Sequence, residues 1–350
     1  MVVEIDIDNI IQHTDGYNRD TSDPIVQPYD YLSSIPSNNQ NVRNRFLVAF
    51  NSLYYHIEQE RLLDLIGEII SIFHNSSLLI DDIEDSSLYR RGLPAAHTKY
   101  GIPLTINCGN LMYFIALQKA QIDLPKLFQS VTTSNINMDK LKFETSLVLI
   151  DEMLNLHHGQ GLDIYWRDNF KLIDNLNQLP SIEDYLQMIK DKTGGIFRLS
   201  IRLLKLFSPS SIKADLIPIA NLLGIIYQIR DDYLNLTDPK YSHMKGLSGE
   251  DLIEGKLSLP ILHCLINNKN SPVQKLLTTT NSAEERKLKV EEINDCIQYM
   301  QLESKSLEYT RNLIKIYEVK VKQLISESVD VSSSLSSSLL FQIIDGLCAI

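Results

Sequence analysis

The sequence predicts an all-α fold, and three observations predict it. Its 350 residues include only 14 Gly and 12 Pro. The apolar residues fall in long runs at helical spacing, and no segment reads as a buried parallel strand. At 44% hydrophobic the chain can bury a sizeable core, although length alone admits either one large domain or two ordinary ones. There is no internal repeat and no change of hydrophobic pattern to mark a boundary.

Residues 1 to about 27 are polar, acidic and aperiodic, which predicts a loosely ordered arm or a peripheral helix. From Tyr29 onward helical patterns follow one another, separated by polar breaks such as Ser33-Ser34-Ile35-Pro36-Ser37-Asn38 and Ser208-Pro209-Ser210-Ser211. The strongest helix spans Glu60 to Asp85, with Leu62, Leu65, Ile66, Ile69, Ile70, Phe73, Leu79, Ile80 and Ile83 spread nearly all round it. A helix that apolar belongs in the centre of a bundle. The run from Leu216 to Leu236 has the same character, and both runs end in acid clusters.

A formal net charge of -11 argues against a nucleic-acid binder, which needs basic patches to replace phosphate counterions. An acidic protein can hold a polyanion only by recruiting cations, so the placement of its carboxylates matters more than their number. The four cysteines, Cys108, Cys264, Cys296 and Cys348, have no paired spacing, which fits reduced thiols in a cytoplasmic protein. No basic-then-apolar leader and no run of about 18 uncharged apolar residues is seen, so a soluble protein without a membrane span is expected.

The first acid cluster is Asp81-Asp82-Ile83-Glu84-Asp85. On a helix Asp81 and Asp85 share a face and Asp82 is displaced around the axis. The second is Asp231-Asp232-Tyr233-Leu234-Asn235, with Gln228 one turn earlier. A single such cluster is also what a helix end dipping into solvent looks like. Two of them, each following a long apolar helix, point to a cation, because like charges at this spacing repel and unpaired buried carboxylates are costly. Magnesium, a hard ion held by one or two carboxylates together with substrate phosphates, fits that need.

With these residues the sequence resembles the trans-prenyl diphosphate synthases, most closely the eukaryotic geranylgeranyl diphosphate synthases. The likeness runs from about Pro28 to Leu307. It takes in Arg90-Arg91-Gly92, His97, Gly159-Gln160-Gly161-Leu162-Asp163, Lys192-Thr193-Gly194-Gly195, Gln228, and Glu250-Asp251 through Gly255-Lys256. The resemblance implies one domain over 28–350, an antiparallel helical bundle around a deep central cavity, and a homodimer. It implies that Asp81, Asp82 and Asp85 bind two magnesium ions, and that Asp231, with Asp232, binds a third. The same resemblance assigns Arg90, Lys192, Thr193, Gln228, Lys245 and Lys256 to the diphosphate of an allylic substrate. Arg43, Arg91 and His97 are assigned to isopentenyl diphosphate.

The implied reaction ionises the allylic carbon–oxygen bond, so stabilising charge on the departing diphosphate is the main catalytic task, shared by Asp81, Asp82, Asp85, Lys192 and Asp231. No nucleophilic side chain is needed. Product length would follow cavity depth: Ser76 and Ser77 leave the shaft below the first cluster open, and a floor is expected from Tyr113, Phe114 and His157. That favours a twenty-carbon product made from farnesyl diphosphate. The bland reading of these three aromatics is plain core packing.

Two departures stand out. The stretch from Lys245 to Glu250 is one residue longer than is usual in the family, and Gln40 stands where the isopentenyl site usually has a lysine. Loss of that cation fits, as an alternative, a non-catalytic regulatory subunit of a heteromeric synthase. A class I terpene cyclase shares the fold and the first cluster, but would carry an Asn-Asp-x-x-Ser-x-x-x-Glu second motif in place of Asp231-Asp232-x-x-Asn235. A missing charge-assisted hydrogen bond weakens binding by about 1 to 3 kcal/mol. Gln40→Lys is therefore expected to lower the Michaelis constant for isopentenyl diphosphate in steady-state assays, and an unchanged constant would mean that another cation already fills the role.

Overall fold

The computed structural model describes residues 23–36, 38–132, 136–170, 179–210, 213–238, 249–329 and 338–350, without the side chains of 38–41. Its described residues form a helical bundle, with one two-stranded hairpin as the only sheet among them. The expected all-α architecture is what the chain adopts. Order begins earlier than the polar N-terminal composition suggests. Asp23 caps a short 3-10 turn, Pro24–Val26, by accepting from the Ile25 amide, and Val26 is fully buried; residues 1–22 lie outside the described residues.

The helix Glu60–Glu84 is the axis of the bundle and packs against Ile102–Gln118, Gly194–Phe207 and Gln27–Ser34. Leu62, Ile66, Ile69, Ile72, Phe73 and Leu79 are all at most 2% exposed, and each such side chain contributes about 1.5 to 3 kcal/mol by burial. By length and composition alone this helix could cross a membrane, but here its apolar surface is taken up by neighbouring helices. The long helix Met138–Asn169 packs against Ile182–Lys192 and Gly194–Phe207, and the second acidic helix, Ile217–Thr237, against Gly194–Phe207 and Ser306–Ser328. A smaller apolar cluster around Leu252, Ile261, Val273 and Cys296 completes the C-terminal half.

Local chemistry sets the ends of the elements that matter. Beyond Asp85 the chain turns back in a hairpin pairing Tyr89 with Pro94 and Arg90 with Leu93. Its two turn residues, Arg91 at φ 55 and Gly92 at φ 79, supply the two positive φ values that a tight hairpin turn requires. The helix Ile182–Lys192 starts on a reciprocal cap in which Ser181 Oγ accepts from the Asp184 amide at 3.1 Å and Asp184 accepts from the Ser181 amide at 2.9 Å. The short helix Glu250–Glu254 ends on Gly255 at φ 82, the left-handed cap that glycine allows, and so releases Lys256 back towards the bundle.

Two glycines permit backbone contact between helices. A Cβ on Gly159 would stand 2.5 Å from the Lys192 nitrogen, and one on Gly224 would stand 2.5 Å from the Gly194 Cα. The turn Lys192-Thr193-Gly194 is thus gripped between two bare helix faces. Gly224→Ala should destabilise the fold by about 1 to 3 kcal/mol through overpacking, despite the better helix propensity of alanine; urea unfolding measures it, and unchanged stability would show that these backbones can separate freely.

Candidate active site

A cavity of about 270 Å³ opens among the central helices. The axial helix contributes Phe73, His74, Ser77, Asp81, Glu84 and Asp85, spaced so that one face lines the wall for three turns. The long helix adds Leu156, His157 and Gln160, the glycine-gripped turn adds Lys192 and Thr193, and the second acidic helix adds Tyr227, Gln228 and Asp231. Arg43, Arg90, Arg91, Tyr113, Glu254 and Lys256 complete the wall.

The first acid cluster is held by protein cations and amides. Arg90 forms an ion pair with Asp82 and donates Nη2 to Asp81 at 2.9 Å. Gln160 Nε2 reaches Asp81 at 3.2 Å and Glu84 at 2.7 Å, and Arg167 donates to Asp85 at 2.6 Å. Burial and the neighbouring Asp81 charge push the Asp85 carboxyl up. Burial opposes the charge on Lys192, but Asp163, 2.7 Å away, helps to raise its ammonium pKa above the ordinary value. Lys256 is likewise disfavoured by burial and then raised well above its usual value by Asp163, Asp251 and Asp232.

Near the hairpin the balance is reversed. Burial, reinforced by Arg91, lowers the Arg43 guanidinium to about 10 against a raising effect from Tyr227. Its Nη2 is buried with no hydrogen-bond partner. Burial and then Arg43, Arg91 and Arg90 hold the His74 imidazole well below its usual pKa. An unmet buried donor beside a second arginine, with a neutral imidazole between cations, is an environment that lacks an anion.

Several residues singled out in the sequence stand apart from this wall. Asp232 was expected to bind metal, yet its carboxylate is buried and accepts from the Tyr185 hydroxyl, from Gln228 Nε2 at 2.9 Å and from the Leu259 amide at 2.9 Å. It ties the second acidic helix to its neighbours. Asn235 likewise turns away and accepts from the Asp251 amide at 3.1 Å. Asp82 is 1% exposed and engaged by Arg90 away from the wall. Ser76 is buried and donates to the Ile72 carbonyl at 2.6 Å, leaving Ser77 as the serine in the shaft. Phe114 is 66% exposed, which corrects its place in the expected floor: the ring at position 113 points inward and that at 114 outward. His97 is half-buried and lies off the wall, its Nδ1 without a partner. Lys245 lies outside the described residues, as does the side chain of Gln40.

The structure also adds residues. Tyr113 packs against Phe73 at 5.6 Å and His157 at 5.5 Å between ring centroids, and Phe73, one of the apolar residues of the axial helix, lines the cavity with them. Gln160 and Asp163, from the motif Gly159–Asp163, follow Leu156 at helical spacing, and the same row continues to Arg167, which the motif does not contain.

Among the described residues no three acid, histidine or cysteine side chains converge to hold a metal alone. The donors that face the cavity, Asp81, Asp85 and Asp231, are hard oxygens, and Asp85 is electrostatically strained in the direction a divalent cation would relieve. This donor set fits magnesium shared with a phosphate ligand.

The cavity is charged at one part of its wall and aromatic at another, a lining that suits an amphipathic anion. The polyprenyl synthetase family profile matches residues 23–300. The chain is 44% identical over 241 residues to a geranylgeranyl pyrophosphate synthase of Eremothecium gossypii, covering 68% of each chain. It is 42% identical over 279 residues to one of Macrophomina phaseolina, covering 79% of this chain and 76% of that one. A protein of Matsumurasca onukii named terpene synthase is 42% identical over 249 residues, 71% of this chain and 72% of that one. The chain belongs to the polyprenyl synthetase family, a family of prenyltransferases.

The ion pair of Asp163 with Lys192 gives a pH signature. Burial raises the Asp163 carboxyl, but Lys192 and Lys256 outweigh it and the net shift is downward. A carboxyl lowered in the folded state stabilises above its unfolded pKa, and that stabilisation fades as pH falls through the folded value. Asp163→Asn should cost about 3 kcal/mol near neutral pH and progressively less below pH about 4; a cost independent of pH in chemical unfolding would refute this assignment.

Proposed function

We propose that this chain condenses isopentenyl diphosphate with farnesyl diphosphate to give geranylgeranyl diphosphate, using magnesium. The observation that carries the reading is the single cavity shared by Asp81, Asp85, Asp231, Lys192 and Lys256 with Phe73 and Tyr113. The names of the Eremothecium and Macrophomina relatives support it.

Asp81, Asp85 and Asp231 would hold magnesium, in the family's manner three ions, which would supply positive charge to the diphosphate group. Lys192, Lys256 and Arg90 supply fixed positive charge to the same group, and preorganised charge of this kind is worth most in a water-poor cavity. Thr193 and Gln228, joined at 2.7 Å, orient it. Arg43 and Arg91 offer the second diphosphate site, because the buried Arg43 donor gains the partner it lacks. The carbocation then faces Ser77, Phe73 and Tyr113, side chains with no competing strong nucleophile, and the final proton can leave with the diphosphate.

The growing chain runs down the axial helix. Phe73 lies eight residues before Asp81, about 12 Å of helical rise, and Tyr113 beside it is only 4% exposed. A second copy of the chain is the natural cover for the exposed stripe Phe143, Leu147, Ile150 and Leu154 and for Phe114, which supports a homodimer. Four free, buried cysteines support a reducing, cytoplasmic setting.

Purified protein given magnesium, farnesyl diphosphate and labelled isopentenyl diphosphate should yield a twenty-carbon diphosphate, and Tyr113→Ala should yield longer ones. A wild-type product longer than twenty carbons, or unchanged length in the variant, would sink the floor assignment. No elongation would favour the regulatory-subunit reading prompted by Gln40. A cyclised hydrocarbon would favour the terpene synthase reading prompted by the Matsumurasca relative's name.

A further inference from the structure

Lys192 and Thr193 reach the cavity from the point where one helix ends and the next begins, and the support for that turn lies behind the cavity. Arg198, 6% exposed on the helix Gly194–Phe207, donates Nη1 to the Lys190 carbonyl at 2.7 Å and to Asn221 Oδ1 at 3.0 Å. Its Nε donates to Glu152 Oε2 at 2.9 Å, and Nη2 sits 2.8 Å from the same oxygen. Glu152, 1% exposed on the long helix, also accepts from Arg202 Nη1 at 3.1 Å. One guanidinium therefore joins the end of the lysine-bearing helix, the long helix and the second acidic helix.

The carbonyl it holds lies in a last helical turn, where acceptors run out of donors four residues ahead. The glycine at 194 makes room for it: a Cβ there would come within 2.7 Å of Arg198 Nη1. None of these contacts reaches Arg43 or Arg91. A loss of the guanidinium fork would therefore act on the Lys192 side of the cavity and spare the other.

We propose that Arg198 is a positioning residue for the allylic-diphosphate half of the site, fixing the turn that aims Lys192 and Thr193 by holding the Lys190 carbonyl against Glu152 and Asn221. The inference rests on the function proposed above. Arg198→Lys keeps a cation for Glu152 but cannot span all three acceptors. With magnesium present, it should raise the Michaelis constant for farnesyl diphosphate about tenfold, as small misplacements in such sites do, and leave that for isopentenyl diphosphate within about twofold, with unchanged circular dichroism. Asn221→Ala, which removes one acceptor, should shift the same constant in the same direction by about threefold, and it decides the matter if Arg198→Lys does not fold. Equal changes in both constants, or none in a folded variant, would overturn the proposal. If the wild-type chain elongates nothing, the proposed function fails. Calorimetric titration with magnesium and inorganic pyrophosphate then still reads this inference: about tenfold weaker binding by Arg198→Lys supports it, and equal binding overturns it.

Discussion

Keeping carboxylates together inside an apolar bundle is the constraint from which the rest of this structure follows. Asp81, Glu84 and Asp85 project into the cavity from the end of a helix whose apolar residues are packed against its neighbours, so they have little freedom to spread into solvent. In water such charges would repel weakly; beside a packed core the repulsion is stronger and each needs a partner. The chain meets that need from several directions at once: Arg90 from the hairpin, Gln160 and Arg167 from the long helix, and Lys192 from the turn between helices, 3.8 Å from Asp81. Each partner demands its own backbone device. The hairpin needs two positive φ values at Arg91 and Gly92, and Lys192 needs bare helix faces at Gly159 and Gly224.

The two parts of the wall solve different electrostatic problems. Around Lys192 and Lys256 the acids are already matched, so the lysines stay charged despite burial. Around Arg43, Arg91 and His74 positive charge is in excess, and the imidazole is held neutral. The first region can take an anion only together with added cations, whereas the second can take one directly. An enzyme that must cleave one diphosphate and retain another gains from that asymmetry, because charge neutralisation is concentrated where the bond breaks.

Much of this was legible in the sequence, for physical reasons that can be named. The axial helix announces itself because its apolar residues surround the axis, and the acid clusters stand out because there are two of them, each at helical spacing after such a run. What stayed hidden depends on side-chain direction. Adjacent residues on a helix point about 100° apart, so the inward Tyr113 and outward Phe114 look alike in a motif and differ entirely in the fold. Asp231 and Asp232 separate for the same reason: one faces the cavity, while the other is claimed by Tyr185 and the Leu259 amide, partners at sequence distances no local pattern encodes.

The division between Asp231 and Asp232 also explains why paired aspartates suit this site. A cavity carboxylate on the second acidic helix is only as well aimed as that helix is seated. Asp232 adds to the seating, since its three donors come from Ile182–Lys192, from the start of Leu259–Asn267 and from Gln228 on its own helix. Gln228 then passes the constraint forward, accepting from Thr193 on the cavity side. Removing Tyr185 or Gln228 from Asp232 would therefore cost more than the usual 0.5 to 1.5 kcal/mol of a hydrogen bond, because a buried carboxylate would lose a donor and the orientation of Asp231 would loosen with it. In the second cluster one aspartate supplies the charge and its neighbour supplies the aim.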